Sequence, residues 1–349
     1  MPRETRDKDS TVHAAALAAK VLAGDRRSLA RAITLVESTH PKHRDEADSL
    51  LKQLMPRAGG SIRLGISGAP GVGKSTFIEA LGNHAIAQGR RVAVLTVDPS
   101  SAISGGSILG DKTRMESLAR SSEAFIRSSP SGLTLGGVAR RTREALVVCE
   151  AAGFDLVIVE TVGVGQSETM VADMTDMFAL LLQPGGGDEL QAIKRGIMEL
   201  ADLVLINKAD GALKRIAEES ALEFRNALRL LRPRIEGWSV PVQTCSSLES
   251  DGIEDAWEAV LRHHAMLLEK GLLAPRRSGQ ALSWMWAELN DSLVAALRDD
   301  PQLRHDLPEL EKEVAAGRLP PNLAARALLR RFLAARAEPA DEKRGERND

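Results

Sequence analysis

The chain of 349 residues contains no tyrosine and only 2 cysteines. Cys149 and Cys245 are far apart in sequence. That argues against a disulfide scaffold and suits a reducing compartment. No apolar run approaches the roughly 20 residues that a membrane helix needs. The first ten residues are charged and lack the apolar core of a signal peptide. A formal net charge of −2 gives no reason to expect nucleic acid or an anionic membrane as the main partner. These absences point to the cytoplasm and exclude a membrane span. What remains, 43% hydrophobic and 27% charged, is the composition of an ordinary folded protein. It is long enough for one large α/β domain with helical extensions, or for two domains.

The most informative stretch is Gly68-Ala69-Pro70-Gly71-Val72-Gly73-Lys74-Ser75, which fits G-x-x-x-x-G-K-[ST]. Ile62 to Ser67 before it reads as a buried strand, and Ser75 to Leu81 after it as the start of a helix. A glycine loop between strand and helix turns backbone N–H groups inward as a nest for phosphate oxygens. Gly68, Gly71, Val72, Gly73 and Thr76 belong to that cradle. Lys74 would reach the β- and γ-phosphates and the Ser75 hydroxyl would ligate Mg²⁺. The ligand class is therefore a nucleoside triphosphate with magnesium.

Around this loop the pattern alternates. Apolar runs at 91–97, 154–159, 177–182, 203–206 and 240–244 read as strands, and 138–151, 189–199 and 216–231 as helices. Continuous apolar strands separated by helices predict a mostly parallel sheet covered on both faces, with ligands at the carboxyl ends of the strands. Residues 1–10 read as disordered. His13 to Met55 reads as two helices broken at Gly24-Asp25. After Gly252 the strands stop, and 253–270, 278–298 and 307–333 read as long helices. The second carries Leu282, Trp286, Leu289, Leu293 and Leu297 on one stripe, which needs an apolar partner, in its own domain or in a second subunit. The expected division is an N-terminal helical extension (11–57), a P-loop nucleotide domain (58–262), a C-terminal helical dimerisation arm (263–336) and a disordered tail (337–349).

Asn207-Lys208-Ala209-Asp210 follows the strand at 203–206 and matches N-K-x-D. The Asp210 carboxylate is a pair of acceptors, and guanine presents two donors, N1–H and the 2-amino group. Adenine has an acceptor at N1 and no 2-amino group. A site built this way rejects the wrong base by factors on the order of 10⁴. Lys208 would lie along the base plane, and Asn207 would tie the loop to its neighbours. Thr244-Cys245-Ser246-Ser247 ends another strand and places Ser246 and Ser247 at the base. The Ser247 N–H is the expected donor to guanine O6.

On the metal side, Glu160 ends a strand and Gly163 follows three residues later, a Walker B and switch arrangement. Asp98 ends the second strand, and Asp111 lies in a glycine-rich loop. Magnesium prefers oxygen ligands and keeps several waters, so a few such carboxylates suffice. No residue stands out as a general base, which suggests slow hydrolysis without a partner. Pro184 to Gly196 begins as a second loop at a strand end, and carries Asp188, Gln191, Lys194 and Arg195 as groups able to answer the bound nucleotide. His263-His264, on a predicted helix, reads as a surface pair.

Taken together, GAPGVGKST (68–76), VDPSS (97–101), GDKTRM (110–115), ETVGVGQSE (160–168), PGGGDELQAIKRGIMELAD (184–202), NKAD (207–210) and TCSSLESDGI (244–253) resemble the MeaB/ArgK-type GTPases of the SIMIBI class. These are chaperones of adenosylcobalamin-dependent methylmalonyl-CoA mutase. The glutamate at 160 belongs to that family's pattern. The serine at 247 departs from it, since many relatives carry alanine there. The resemblance implies a homodimeric Mg²⁺-dependent GTPase, binding GTP and GDP, that gates cobalamin loading and protects or reactivates an acyl-CoA mutase. It assigns Lys74, Asp111 and Glu160 to catalysis and Ser75, Asp98, Asp111 and Glu160 to the metal. It gives Asp188, Gln191 and Lys194 to signalling with the partner. Two other classes compete. A nickel-delivery GTPase would want a Cys/His cluster, whereas the two cysteines are isolated. An ArgK-like kinase would usually want ATP, against which Asp210 argues.

Overall fold

A computed structural model of the chain describes residues 3–97, 115–129, 135–161, 167–185, 195–231 and 233–337. Three helices open it: α1 (Arg3–Leu22), α2 (Arg26–Val36) and α3 (Pro41–Leu54). The α1/α2 break falls at Gly24-Asp25, where Asp25 Oδ1 accepts from Ser28 N at 2.7 Å as an N-cap. A second break, not expected from the sequence, is made by His40 as N-cap and Pro41 at the first helical position. Helix α1 also starts earlier than the expected disorder allows. Arg3, Glu4, Arg6 and Lys8 are good helix formers and carry its polar first turns.

The remaining elements are β1 (Ile62–Gly68), α4 (Lys74–Ala87), β2 (Val92–Val97), α5 (Glu116–Arg120), β3 (Ala124–Ser129), α6 (Leu135–Ala151), β4 (Leu156–Thr161), α7 (Ser167–Ala172), β5 (Met177–Leu182), α8 (Arg195–Leu200), β6 (Leu203–Ile206), α9 (Lys214–Leu228), β7 (Val242–Thr244), α10 (Ile253–Glu269), α11 (Leu273–Asp299), α12 (Pro301–Ala315) and α13 (Pro321–Ala337). The seven strands form one parallel sheet in the order β3-β2-β4-β1-β5-β6-β7. The α/β class with a parallel sheet and helical extensions is as expected. Strand β3 is an addition. Only Ala124, Phe125 and Ile126 of it are apolar, because it lies at the sheet edge. The single long helix expected at 307–333 is two, separated around Gly317 and Pro320-Pro321.

The central strands are buried along their whole length, which is why they read as unbroken apolar runs. Their amino ends share one device. Asp155, Asp176 and Asp202 each stand just before a strand, and each accepts from a backbone N–H of a neighbouring segment. The bonds are Arg91 N to Asp155 Oδ2 at 2.8 Å, Arg63 N to Asp176 Oδ2 at 2.9 Å and Phe178 N to Asp202 Oδ2 at 3.0 Å. Arg277, in the second turn of α11, forks onto Asp176 (Nε–Oδ1 2.9 Å, Nη2–Oδ2 2.6 Å) and also donates to Gly59 O and Ser61 O. Burial pushes the Asp202 carboxyl up, opposed by Arg234 and Arg276.

Helix α10 belongs to the sheet domain. Trp257 is fully buried against the sheet, with Nε1 donating to Gln88 Oε1 of the segment after α4 at 2.7 Å. The chain divides into compact units at 1–281 and 282–349. The boundary expected at 262/263 falls inside α10, because its buried face continues to Leu267. In the second unit α12 and α13 pair, burying Leu303, Ala324 and Phe332, with Arg331 Nη1 on Asp306 Oδ2 at 2.7 Å.

His263, expected at the surface, is buried on α10. Its ring packs edge-on against Trp238 at 4.7 Å between centroids, and neither ring nitrogen has a hydrogen-bond partner among the described residues. Burial, reinforced by Arg276, pulls its pKa down to about 4, and burial also lowers His264. The folded chain therefore resists a proton that the unfolded chain takes up near pH 6.5. Stability is full above that pH and is lost as pH falls toward 4, by about 3 kcal/mol for His263 alone. Urea unfolding between pH 7.5 and 4.5 is expected to show this loss, and His263→Leu is expected to flatten it. An unchanged slope in that variant would place the titration elsewhere.

Candidate nucleotide site at the carboxyl edge of the sheet

The carboxyl ends of β1, β4, β5, β6 and β7 bring the sequence-predicted groups together. The loop after β1 needs glycine at two places for reasons the geometry makes plain. A Cβ on Gly73, at φ 95°, would lie 2.7 Å from Asn207 Nδ2, and a Cβ on Gly68 would run into the Leu181 carbonyl of β5. Lys74, nearly buried at the first turn of α4, donates from Nζ to Gly68 O at 2.8 Å and Ala69 O at 3.2 Å. The ammonium is thereby folded back over the loop that would cradle phosphates.

Glu160 lies at the end of β4, paired in register with Ile66 of β1. Ser75 Oγ is 3.4 Å from Glu160 Oε1, so a hydroxyl and a carboxylate face one another beside the phosphate loop. That oxygen donor set fits a small hard cation such as Mg²⁺. Thr161 Oγ1 donates to Ser67 Oγ at 2.8 Å and ties the two strand ends together. Asp98, Asp111, Gly163, Asp188, Gln191 and Lys194 lie outside the described residues.

The base side is built on Asn207. Its Nδ2 donates to Val72 O at 2.9 Å, and its Oδ1 accepts from Ser247 Oγ at 2.7 Å and Ser247 N at 3.2 Å. The Ser247 N–H expected to face a purine is thus turned to Asn207 here. Lys208 sits at φ 59°, a left-handed conformation costing a non-glycine residue on the order of 1–3 kcal/mol. Its Nζ donates to Gly71 O at 2.7 Å and Gln183 Oε1 at 3.3 Å, which lays the side chain across the site. Ser246 Oγ donates to Asp210 Oδ2 at 2.5 Å and in turn accepts from Glu249 N at 3.2 Å, fixing the carboxylate. The loop closes through Ser246 N to Asp251 O at 2.9 Å and through Gly252, where a Cβ would lie 2.5 Å from Thr244 O.

Gln183 and Asp251 were not singled out from the sequence. Gln183 is the first polar residue after the apolar strand β5, a position on the ligand edge of a parallel sheet. Asp251 acts through its backbone carbonyl, which leaves no residue-type signal.

The arrangement offers a phosphate nest with a lysine, an oxygen pair suited to a cation, and a carboxylate fixed to read a donor pair on a base. The family model described as "Methylmalonyl Co-A mutase-associated GTPase MeaB" matches residues 29–302. A putative GTPase of Caulobacter vibrioides is 54% identical over 326 residues, covering 93% of this chain and 98% of its own. GTPase ArgK of Escherichia coli is 49% identical over 271 residues, covering 78% of this chain and 82% of its own. The mouse "Methylmalonic aciduria type A homolog, mitochondrial" is 48% identical over 319 residues, covering 88% and 77%. A crystal structure titled "LAO/AO transport system kinase" superposes with TM-score 0.74 at 38% identity, covering 92% of this chain and 98% of its own. On this likeness, spanning the phosphate loop, both strand-end loops and the flanking helices, the chain is a GTPase and belongs to the MeaB family.

Proposed function

We propose that the chain is a GTP-hydrolysing chaperone of an adenosylcobalamin-dependent acyl-CoA mutase of the methylmalonyl-CoA type. In this reading it gates cobalamin loading and protects or reactivates the mutase. The observation that carries the nucleotide half is Asp210, held by Ser246 at 2.5 Å beside a lysine laid across the site. The mutase half is supported by the family description and by the methylmalonic aciduria type A homologues.

In this reading Gly68, Gly71, Val72, Gly73, Lys74 and Thr76 hold the phosphates, with Gly163. Asn207, Lys208, Asp210, Ser246 and Ser247 hold guanine. Ser75 and Glu160, with Asp98 and Asp111, would hold Mg²⁺, which would neutralise charge developing on the transferred phosphoryl group. Lys74 supplies positive charge to the same oxygens. The carboxylate of Glu160 and the hydroxyl of Ser75 orient one another through their 3.4 Å contact. Asp188, Gln191 and Lys194 report the nucleotide state to the mutase.

A metal-delivery role is disfavoured by the state of the thiols. Burial pushes Cys149 up, and pushes Cys245 up to about 12, whereas metals take thiolates. Among the described residues no group of three or more His, Cys, Asp or Glu side chains is placed to hold a metal. A kinase using ATP is disfavoured by Asp210, whose acceptors would oppose the N1 lone pair of adenine.

The arm is proposed to make a homodimer. On α11, Leu282, Met285, Trp286, Leu289, Leu293 and Val294 recur at helical spacing, and each is between 42% and 58% exposed. A stripe of that kind is stabilised by burial against a matching surface, and a second copy presents one by symmetry.

Asp210→Asn is expected to weaken GTP binding on the order of 100-fold or more and to favour xanthosine triphosphate, whose 2-oxo group accepts where guanine donates. Calorimetric titration with GTP, xanthosine triphosphate and ATP measures it, and equal binding of GTP and ATP by the parent chain would remove the base assignment. Trp286→Asp with Leu289→Asp is expected to convert a dimer to a monomer in sedimentation; a monomeric parent would refute the dimer. GTP hydrolysis is expected to accelerate on adding a purified adenosylcobalamin-dependent acyl-CoA mutase. No acceleration and no co-elution would overturn the chaperone role.

A further inference from the structure

Ser247 stands where a small apolar residue would serve as well if only its backbone were used. Its side chain is nevertheless engaged. Both donors of this one residue converge on Asn207 Oδ1, the hydroxyl at 2.7 Å and the N–H at 3.2 Å. The third approach to that oxygen is the Cys245 thiol at 3.6 Å, a weak donor. Asn207 is 1% exposed and Ser247 8%, so an acceptor left unpaired here is not rescued by bulk water. The other end of the same amide holds the phosphate loop through Val72 O at 2.9 Å.

A 6-oxo purine whose donor edge faces Asp210 brings its O6 to the same loop, and O6 needs a donor. The Ser247 N–H makes the longer of the two bonds to Asn207, so it is the donor more readily given up. We infer that the Ser247 hydroxyl is a positioning group for guanine binding. It keeps Asn207 Oδ1 satisfied, and Asn207 fixed on the phosphate loop, while the N–H of the same residue passes to the base. A chain without the hydroxyl must either leave Oδ1 to the thiol or keep the N–H from the purine. This inference rests on the guanine-site reading above.

The test titrates the full chain with GTP, GDP and inosine triphosphate in the presence of Mg²⁺. Inosine keeps O6 and N1–H but lacks the 2-amino group, so the GTP to inosine triphosphate ratio reports on Asp210 and not on Ser247. Ser247→Ala is expected to weaken all three ligands by about tenfold, the scale of one buried hydrogen bond, and to leave that ratio unchanged. Ser247→Thr, which keeps the hydroxyl, is expected to restore parental affinity. In an Asn207→Ala background the Ser247→Ala change is expected to add no further loss, since the hydroxyl acts through Asn207. Parental binding by Ser247→Ala, a loss confined to one nucleotide, or failure of threonine to rescue would each overturn the inference. A parent chain that binds ATP as tightly as GTP would instead overturn the guanine-site reading, so the two failures are distinct. Should Ser247→Ala not fold, Ser247→Thr carries the same comparison, and weakened binding by threonine overturns the proposal.

Discussion

The amide of Asn207 on the carbonyl of Val72 is the contact on which the rest of the site depends. Asn207 follows β6, and Val72 lies in the loop after β1, with β5 between the two strands. One side chain thus reaches across a strand to join the loop proposed to hold phosphate with the loop proposed to hold the base. The crossing leaves room for no side chain at Gly73, and it is reinforced by Lys208, whose ammonium reaches Gly71 O. The left-handed backbone at Lys208 is the cost of aiming that side chain back over the site. Two motifs far apart in sequence are mechanically one object, which is why each carries more meaning in the presence of the other.

The opposite end of the same sheet is organised by charge rather than by ligand geometry. Asp155, Asp176 and Asp202 each close a backbone N–H at a strand entrance. Arg277 and Arg276 reach Asp176 and Asp202 from near the start of α11, and Arg234 reaches Asp202 from the segment before β7. Buried ion pairs are costly to desolvate and contribute little net stability unless further hydrogen bonds satisfy them. Here Asp176 and Asp202 also accept from the backbone, so removing either would unpair a strand amide and take the carboxylate away from its arginines. Parallel sheets place ligands at the carboxyl ends of their strands, and Asp155, Asp176 and Asp202 stand at the amino ends, where they hold strand positions without competing for the ligand.

The legible parts of the sequence were those with a period or a fixed spacing. The central strands stood out because burial on both faces makes them continuously apolar, and the phosphate and base loops because their chemistry demands particular residues at strand ends. Strand β3 was missed because an edge strand buries too little to show as a run: Arg127, Ser128 and Ser129 complete it. The extra helix break before α3 was hidden because histidine is an uncommon N-cap, and Pro41 was the remaining cue. His263 read as surface because a lone polar residue carries no burial signal, whereas its neighbours Val260 and Leu267, also buried, set the face it lies on. The 262/263 boundary lies within α10 for the same reason in reverse. Helix α10 follows the last strand in sequence, yet Trp257 commits it to the sheet.

Four of the polar groups that a nucleotide would engage are already paired inside the chain. Lys74 has Gly68 O and Ala69 O, Ser75 has Glu160, Asp210 has Ser246, and the Ser247 N–H has Asn207. Binding at such a site is an exchange of partners, and its free energy is the difference between two satisfied arrangements. Charge-assisted bonds from Lys74 to phosphate are stronger than those to carbonyls, so the triphosphate tail supplies the gain for any nucleotide. The base must then avoid losing it. Guanine offers Asp210 two donors and returns an acceptor to the loop, whereas adenine meets the carboxylate with a lone pair. On the proposed guanine reading, selectivity comes from the penalty on the wrong base more than from any bonus for the right one, and the penalty is only as large as the internal bonds that hold Asp210 and Asn207 in place.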